Sequence, residues 1–458
     1  MLGGRRGTHR TFSPPRRRRV AYSGTKTVPT RAGAAYCQAA TLFTFVRGRS
    51  RTWCLALRVQ VECLAGAGVE VVSKPLVPPL EATLGASRVL VRPGATRLHL
   101  LNPTAGWIWD AQRAGFSQDD LAATLAKRFG IPRDAALADV RDMLDRWSRA
   151  GLLGWAPAAA HRRPAHQAVP TTMPARVSAA RDWNLRLADR TLTLTVSDAD
   201  LANRFLPLLG HLDTLDPSGA EISVVLAGGP NDWRLGTGGV ESARGSGADA
   251  ALTQTLAELV EVGCRGPARL LVVHGAGIAH AERAVLLIGR GGAGKTTLAA
   301  ALNAAGHPLL GDDVVPITPD GRALGIGLAL CLKAGSWPVL AQRLPGLASV
   351  PIWQRLGEPV RFVPPPGPIV RDPLLVGALL FPEYVPGHRA SLAPLAPEDV
   401  LQRLIAAEPY LPPLTQARLD ALVTWVAAPP AFALCYPDLA QGLAQVGAAL
   451  AAAEPPRR

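Results

Sequence analysis

The sequence predicts an α/β domain built around a phosphate-binding loop, preceded by a small α+β, winged-helix-like unit. Three observations carry this expectation. A short apolar strand at 285–288 runs directly into G-x-x-x-x-G-K-T and then into a helical pattern. Near residue 100, two strand-like runs are followed by three amphipathic helical patterns. Between these regions lies a stretch of Ala, Pro and Arg without periodicity.

At 458 residues the chain exceeds one ordinary core and calls for two or three domains. Its formal charge of +14 is uneven: residues 1–61 hold twelve Arg, one Lys and no acidic residue, leaving +1 for everything after them. Near-neutrality of the remainder argues against a nucleic-acid or membrane partner. Residues 1–80 are read as a disordered basic extension, because unpaired arginines build no core, or as upstream sequence read through from a misassigned start. A basic arm for nucleic acid or membrane is the competing reading. Six cysteines without a C-x-x-C pair fit a reducing, cytoplasmic setting. The absence of an eighteen-residue apolar run and of a signal-peptide pattern predicts neither a membrane span nor secretion.

Residues 83–155 are expected to form the first folded unit. Runs 87–92 and 97–101 read as strands around the turn Pro93-Gly94, and Asn102-Pro103-Thr104 starts a helix carrying Trp107, Ile108 and Trp109. Ser117-x-x-Asp120 resembles a capping box and opens a helix with Leu121, Leu125 and Phe129 on one face, stopped at Gly130. A third helix over 133–150 places Leu137, Val140, Leu144 and Trp147 at three-to-four spacing. A DNA-binding winged helix would need a basic last helix, yet Arg133, Arg141, Arg146 and Arg149 are matched by Asp134, Asp139, Asp142 and Asp145. The run LNPTAGWIWD over 101–110, the helix LAATLAKRFG and the ending RAGLL resemble the PqqD family, the peptide-recognition element of pathways that modify ribosomally made peptides. That resemblance implies a winged-helix-like, PqqD-type domain that holds a peptide as an added strand at its sheet edge, the main chain supplying affinity and side-chain pockets supplying selection.

Residues 156–180 read as a linker, and 181–452 as the larger domain. Within the larger domain, 185–196 alternates like one or two strands, 198–209 like a helix and 222–226 like a strand. Residues 228–247 read as a glycine-rich loop, 248–262 as an amphipathic helix and 268–274 as a strand ending at His274-Gly275. After 395, helices at 397–407 and 415–427, a strand at 431–436 and a final Ala-rich helix read as covering elements without chemistry.

Gly289, Gly291, Gly292, Ala293 and Gly294 form the P-loop, whose backbone N–H groups point inward at phosphate oxygens while the following helix adds the positive end of its dipole. Lys295 reaches the terminal phosphates, Thr296 holds Mg²⁺ and Thr297 adjoins them, so ATP and Mg²⁺ are the expected ligands. His274 lies fifteen residues before Gly289, and Asp312-Asp313 begins seventeen past Lys295. Phosphoryl transfer to a hydroxyl needs phosphate charge neutralised, a metal held and the acceptor deprotonated or oriented, and these residues can divide that work. The layout VHG, GRGGAGKTT, GHPLLGDDVV resembles the catalytic domain of HPr kinase/phosphorylase, which shares its fold with ATP-dependent phosphoenolpyruvate carboxykinase. The resemblance implies an α/β P-loop kinase domain with Asp312 as base for the acceptor hydroxyl, Asp313 as the Mg²⁺ partner with Thr296, and His274 beside the transferred phosphate.

The segment by which bifunctional HPr kinase/phosphorylases are recognised has no counterpart here, and Arg361, Arg371 and Arg389 in that region carry no assigned role. Lys333 reads equally as a phosphate or substrate ligand and as a surface charge. Together the two resemblances imply ATP-dependent phosphoryl transfer to Ser or Thr of a peptide or small protein, either a ribosomal precursor peptide or an HPr-like partner. A homo-oligomer is expected from the kinase family. The alternatives are a non-catalytic, nucleotide-binding peptide chaperone or sensor, and a small-molecule kinase of the carboxykinase-like fold.

Overall fold

The computed structural model describes residues 78–153, 171–174, 177–214 and 220–453. The basic extension up to residue 77 and most of the expected linker lie outside the described residues. The first unit contains β1 (Leu80–Leu84), β2 (Ser87–Val91) and β3 (Leu98–Leu101), antiparallel in that order, followed by α1 (Pro103–Arg113), α2 (Gln118–Phe129) and α3 (Arg133–Arg149). Asn102 caps α1 by accepting from the Ala105 N–H at 2.9 Å, and Ser117 and Asp120 complete a reciprocal capping box on α2. Gly130 ends α2 in the left-handed conformation. Trp109 is buried edge-on to Trp147, with ring centroids 5.4 Å apart. Phe129, expected on the packed face, is half exposed, because α2 runs one turn past the cluster that Leu121 and Leu125 join.

This small sheet is covered on both faces. Leu90 and Leu101 join the cluster of α1–α3, whereas Val89, Val91, Leu98 and Leu84 join a cluster shared with Leu271, Leu286, Val400 and Leu422 of the larger domain. The alternation follows from the two-residue side-chain period of a strand. β1, which straddles the boundary expected between the extension (1–80) and the first unit (83–155), completes that second face.

The larger domain opens with β4 (Arg181–Leu187), β5 (Arg190–Val196), α4 (Ala199–Leu209), β6 (Ile222–Gly229), β7 (Asp232–Thr237), β8 (Val240–Gly245) and α5 (Ala248–Cys264). The five strands form one sheet in sequence order. Residues 228–247, expected as a loop, are thus largely a hairpin. Trp233 and Leu235 alternate into the core, and Gly238-Gly239, both at positive φ, make the two-residue turn. High glycine content hid that alternation. Residues 171–174, within the expected linker, pack here: Met173 is buried and its N–H donates to the Gly239 carbonyl at 2.9 Å.

The remaining elements are β9 (Leu271–His280), β10 (Arg283–Ile288), α6 (Lys295–Ala304), β11 (Leu309–Gly311), β12 (Val314–Ile317), β13 (Arg322–Ala323), β14 (Leu330–Lys333), α7 (Trp337–Leu340), β15 (Trp353–Arg355), β16 (Glu358–Val363), β17 (Leu374–Tyr384), β18 (Ser391–Pro394), α8 (Pro397–Ala406), α9 (Gln416–Ala427), β19 (Ala431–Tyr436) and α10 (Leu439–Ala453). An eight-stranded sheet follows the order β10-β9-β12-β13-β17-β19-β18, with β11 on β9 and a further pairing of β10 with β17. On β10, Ala284, Leu286 and Ile288 face the cluster with α8, α9 and the small sheet, while Val285 and Leu287 face α6 and α10. A strand buried on both faces reads as an unbroken apolar run, which is what 284–288 is.

β14, β15 and β16 form a separate three-stranded sheet in the order β14-β16-β15. Among the described residues, no helix is long and apolar enough to cross a membrane.

One strand differs from expectation in a way that matters for the site. β9 does not end at His274; it continues to His280, then turns through Ala281-Glu282 into β10. Gly275 and Gly277 are not turn residues but close-contact residues. A side chain at Gly275 would lie 2.5 Å from the Leu287 carbonyl oxygen, and one at Gly277 3.2 Å from Leu310 Cβ.

Candidate active site

β10, β17 and β19 are mutually parallel, so their C-terminal ends gather at one end of the sheet, where ligands of open α/β sheets bind. The glycine loop 289–294 leaves β10 there and enters α6, whose first residue is Lys295. Gly292 and Gly294 have φ of +83° and +87°, conformations that suit glycine. Gly291 and Gly292 face open space, whereas a side chain at Gly294 would collide with the Tyr436 hydroxyl at 1.8 Å. Tyr436 ends β19, donates to the Ala293 carbonyl at 3.2 Å and thereby braces the loop. Its own hydroxyl pKa is raised to about 12 by burial, with Tyr384 as a lesser cause.

Lys295 is buried and donates to the loop carbonyls of Gly289 (2.7 Å) and Arg290 (3.1 Å). Burial lowers its pKa, opposed by the charges of Asp313 and Asp312. Thr296 and Thr297 are half-buried in the first turn of α6. Thr296 Oγ1 donates to Asp312 Oδ1 at 2.8 Å, joining the loop to the acidic pair that precedes β12.

Asp312 is 6 % exposed, and its other oxygen accepts from the Cys331 N–H at 3.0 Å. Its pKa is raised to about 7, first by burial and second by the adjacent charge of Asp313; hydrogen bonds from Thr296 and from the Cys331 and Asp313 backbones only partly offset this. Asp313 has φ of +69°, a strained backbone for a non-glycine residue. Its carboxylate meets Arg355 Nη1 at 2.7 Å, and the same nitrogen lies 3.2 Å from Cys331 Sγ.

His274 pairs in register with Val314, and the Gly275 N–H donates to the Asp313 carbonyl at 3.1 Å. The mid-strand position therefore still sets His274 beside the acids. Lys333 forms an exposed ion pair with Glu358. Of the unassigned arginines, Arg361 stacks on Trp337 and Arg371 donates to the His211 carbonyl.

A cavity of about 440 Å³ opens beside Asp312 and Asp313, between α5, β9, the β15–β16 hairpin and the segment after α8. Leu256, Val260, His274, Arg355, Phe362 and Tyr410 line it. Several of its residues were invisible to sequence reasoning. Arg355 sits at a hairpin apex more than forty residues from Asp313, and Tyr410 lies between two helices read as covering structure; Tyr436, outside the cavity but bracing the loop, ends a strand read the same way. No spacing rule links them, since only the strand order brings them together. A hydroxyl and two carboxylates are hard oxygen donors of the kind Mg²⁺ takes, and loop amides with an ammonium suit phosphate.

The family model for coenzyme PQQ synthesis protein D (PqqD) matches residues 87–153. No curated protein matches the chain. The match begins at β2 and ends just after α3, so β2, β3 and the three helices form a PqqD-like domain, a kind of domain that suggests peptide recognition in a modification pathway.

Proposed function

We propose that the chain is an ATP-dependent phosphotransferase acting on a Ser or Thr hydroxyl of a peptide or small protein held by its PqqD-like domain. The observation that carries this reading is the Thr296–Asp312 hydrogen bond, which couples a phosphate-type loop to a buried carboxylate whose proton affinity lies near neutral pH. A general base is most effective with its pKa near the working pH. Lys295 turns from the Gly289 and Arg290 carbonyls to the transferred phosphate, and the loop amides hold the remaining oxygens. Asp312 takes the hydroxyl proton as the acceptor oxygen bonds to the terminal phosphorus and the bond to ADP breaks. Thr296 and Asp313, through the carboxylate oxygen that Arg355 does not engage, would hold Mg²⁺, which would neutralise phosphate charge. His274, which lines the cavity beside the acids, would sit by the transferred phosphate.

The PqqD-like sheet supports a peptide as the acceptor. Its β1 edge is already engaged: Gln416 exchanges hydrogen bonds with the backbone of Glu81, and Glu398 accepts from the Ala86 N–H. β3 is the edge left to receive an added strand. Incubating the full chain with Mg·ATP and the precursor peptide encoded beside it, then weighing the peptide, tests this. One phosphoryl mass is expected; an unchanged peptide in the presence of bound ATP contradicts it.

The cavity favours a second reading, a kinase for a small molecule, because about 440 Å³ accommodates a whole small ligand. In that case a small hydroxyl compound would consume ATP as fast without peptide as with it.

A further inference from the structure

Six described residues other than glycine hold a left-handed backbone: Ala188, Ala281, Glu282, Asp313, Leu356 and Glu408. The first three lie in the two-residue turns of the β4–β5 and β9–β10 hairpins, where the turn itself demands that conformation. The other three line a single cavity, the one beside Asp312. Leu356 lies in the two-residue turn of the β15–β16 hairpin, which demands its conformation as well. Glu408 lies in no hairpin. It follows α8 at the position where a helix usually ends in glycine, with its N–H donating to the Ile405 carbonyl at 3.0 Å. Strained residues of this kind gather where a side chain is needed.

The segment bearing Glu408 is fixed in place. Tyr410 exchanges both backbone hydrogen bonds with Val272, at 2.9 and 3.0 Å, two residues from His274. The charges around the cavity are then unequal in their commitments. Arg355 is engaged by Asp313, and Arg265 is engaged by Glu261 at 2.7 Å and lies 5.2 Å over the Tyr410 ring. The Glu408 carboxylate makes no hydrogen bond or ion pair with a described residue. Both cations are thus paired with the protein's own carboxylates, and the charge left unpaired at the cavity is that of Glu408, an exposed residue on its rim. Leu256, Val260 and Phe362 give the same space apolar walls.

We infer that this cavity is the acceptor pocket and that it selects an acceptor carrying a cationic group, an ammonium or guanidinium, within a side chain's reach of its hydroxyl. Glu408 is the specificity-determining residue. The acceptor role rests on the phosphotransferase reading; the preference for a cation stands on the cavity alone. An apolar stem lies along Leu256 and Phe362 while the cation meets Glu408, and the hydroxyl is directed toward Asp312. Glu408 is kept in a strained backbone because glycine would stabilise the helix end and lose the contact.

The test is a nucleotide-free titration calorimetry comparison on the full chain, using the blocked dipeptides N-acetyl-Ser-Lys-amide, N-acetyl-Ser-Leu-amide and N-acetyl-Ser-Glu-amide. The lysine probe is expected to bind about tenfold more tightly than the glutamate probe, the size of one charge-assisted contact. Glu408→Gln removes that preference and Glu408→Lys reverses it. Glu408→Gly also removes it while raising the thermal midpoint, which separates loss of recognition from loss of fold. Equal affinities in the wild type, no binding of any probe, or a lysine preference that survives Glu408→Gln overturns the inference. Because no nucleotide is present, the outcome is readable whether or not phosphoryl transfer occurs.

Discussion

Asp312, the proposed general base, is kept buried at a cost to stability. Its folded-state pKa of about 7 lies above the ordinary value of 3.8, so folding favours the protonated form. That contribution is complete below about 3.8 and is lost as pH rises toward 7, so the ionised carboxylate weighs against the fold at neutral pH. Asp312→Asn is therefore expected to raise stability at pH 8, by roughly a few kcal/mol, and to remove this part of the pH dependence, as measured by urea unfolding at pH 5 and pH 8. At the same scale, Lys295 and Thr296 were legible because fixed offsets within a glycine loop reflect local backbone geometry, whereas Asp312 and Asp313, beyond a helix and a strand, came from a family resemblance. Arg355, Glu408 and Tyr436 were not, since each reaches the site through tertiary packing of separate elements.

β9 shows where element-level reading from sequence succeeds and where it stops. Its apolar half, 271–273, was plain, but HGAGIAH reads as a strand end because glycine usually punctuates. Here Gly275 and Gly277 let the Leu287 carbonyl and Leu310 approach, and the strand runs on. Gly275→Ala is expected to destabilise the protein by about 2 kcal/mol, since the contact is with backbone that cannot swing away; chemical denaturation measures it. The β7–β8 hairpin was missed for a related reason: glycines that make the turn also make the segment look like a loop. By contrast, α1 and α2 were found because a side-chain cap is a local signal.

At the scale of the whole molecule, the PqqD-like unit is not a bead on a string. Leu84, Val89, Val91 and Leu98 belong to the same buried cluster as Leu271, Leu286 and Leu422. Removing residues 1–155 would expose that cluster, so the truncated chain is expected to aggregate or unfold at lower temperature than the full chain, which a thermal scan with light scattering would record. Tight docking also constrains function, because the β3 edge is held at a fixed position relative to the larger domain instead of sampling a tethered volume.

The small sheet carries its own acid sensitivity. Burial, assisted by Arg97 and Arg92, lowers the His99 pKa from 6.5 to about 4. The unfolded chain binds that proton first, so stability present above pH 6.5 is lost as pH falls toward 4, by up to about 3 kcal/mol. His99→Gln should flatten this acid limb relative to the wild type when both are unfolded in urea across that range.

Central to the account is that the loop and the buried acid form one phosphoryl-transfer site. The most direct measurement is the rate of phosphoryl transfer from Mg·ATP to the peptide by the wild type and by Asp312→Asn, with ATP affinity measured on both. A fall of about 10²- to 10⁴-fold in rate with ATP affinity preserved is expected. An unchanged rate in Asp312→Asn, or no transfer by a wild type that binds both ATP and peptide, would contradict it.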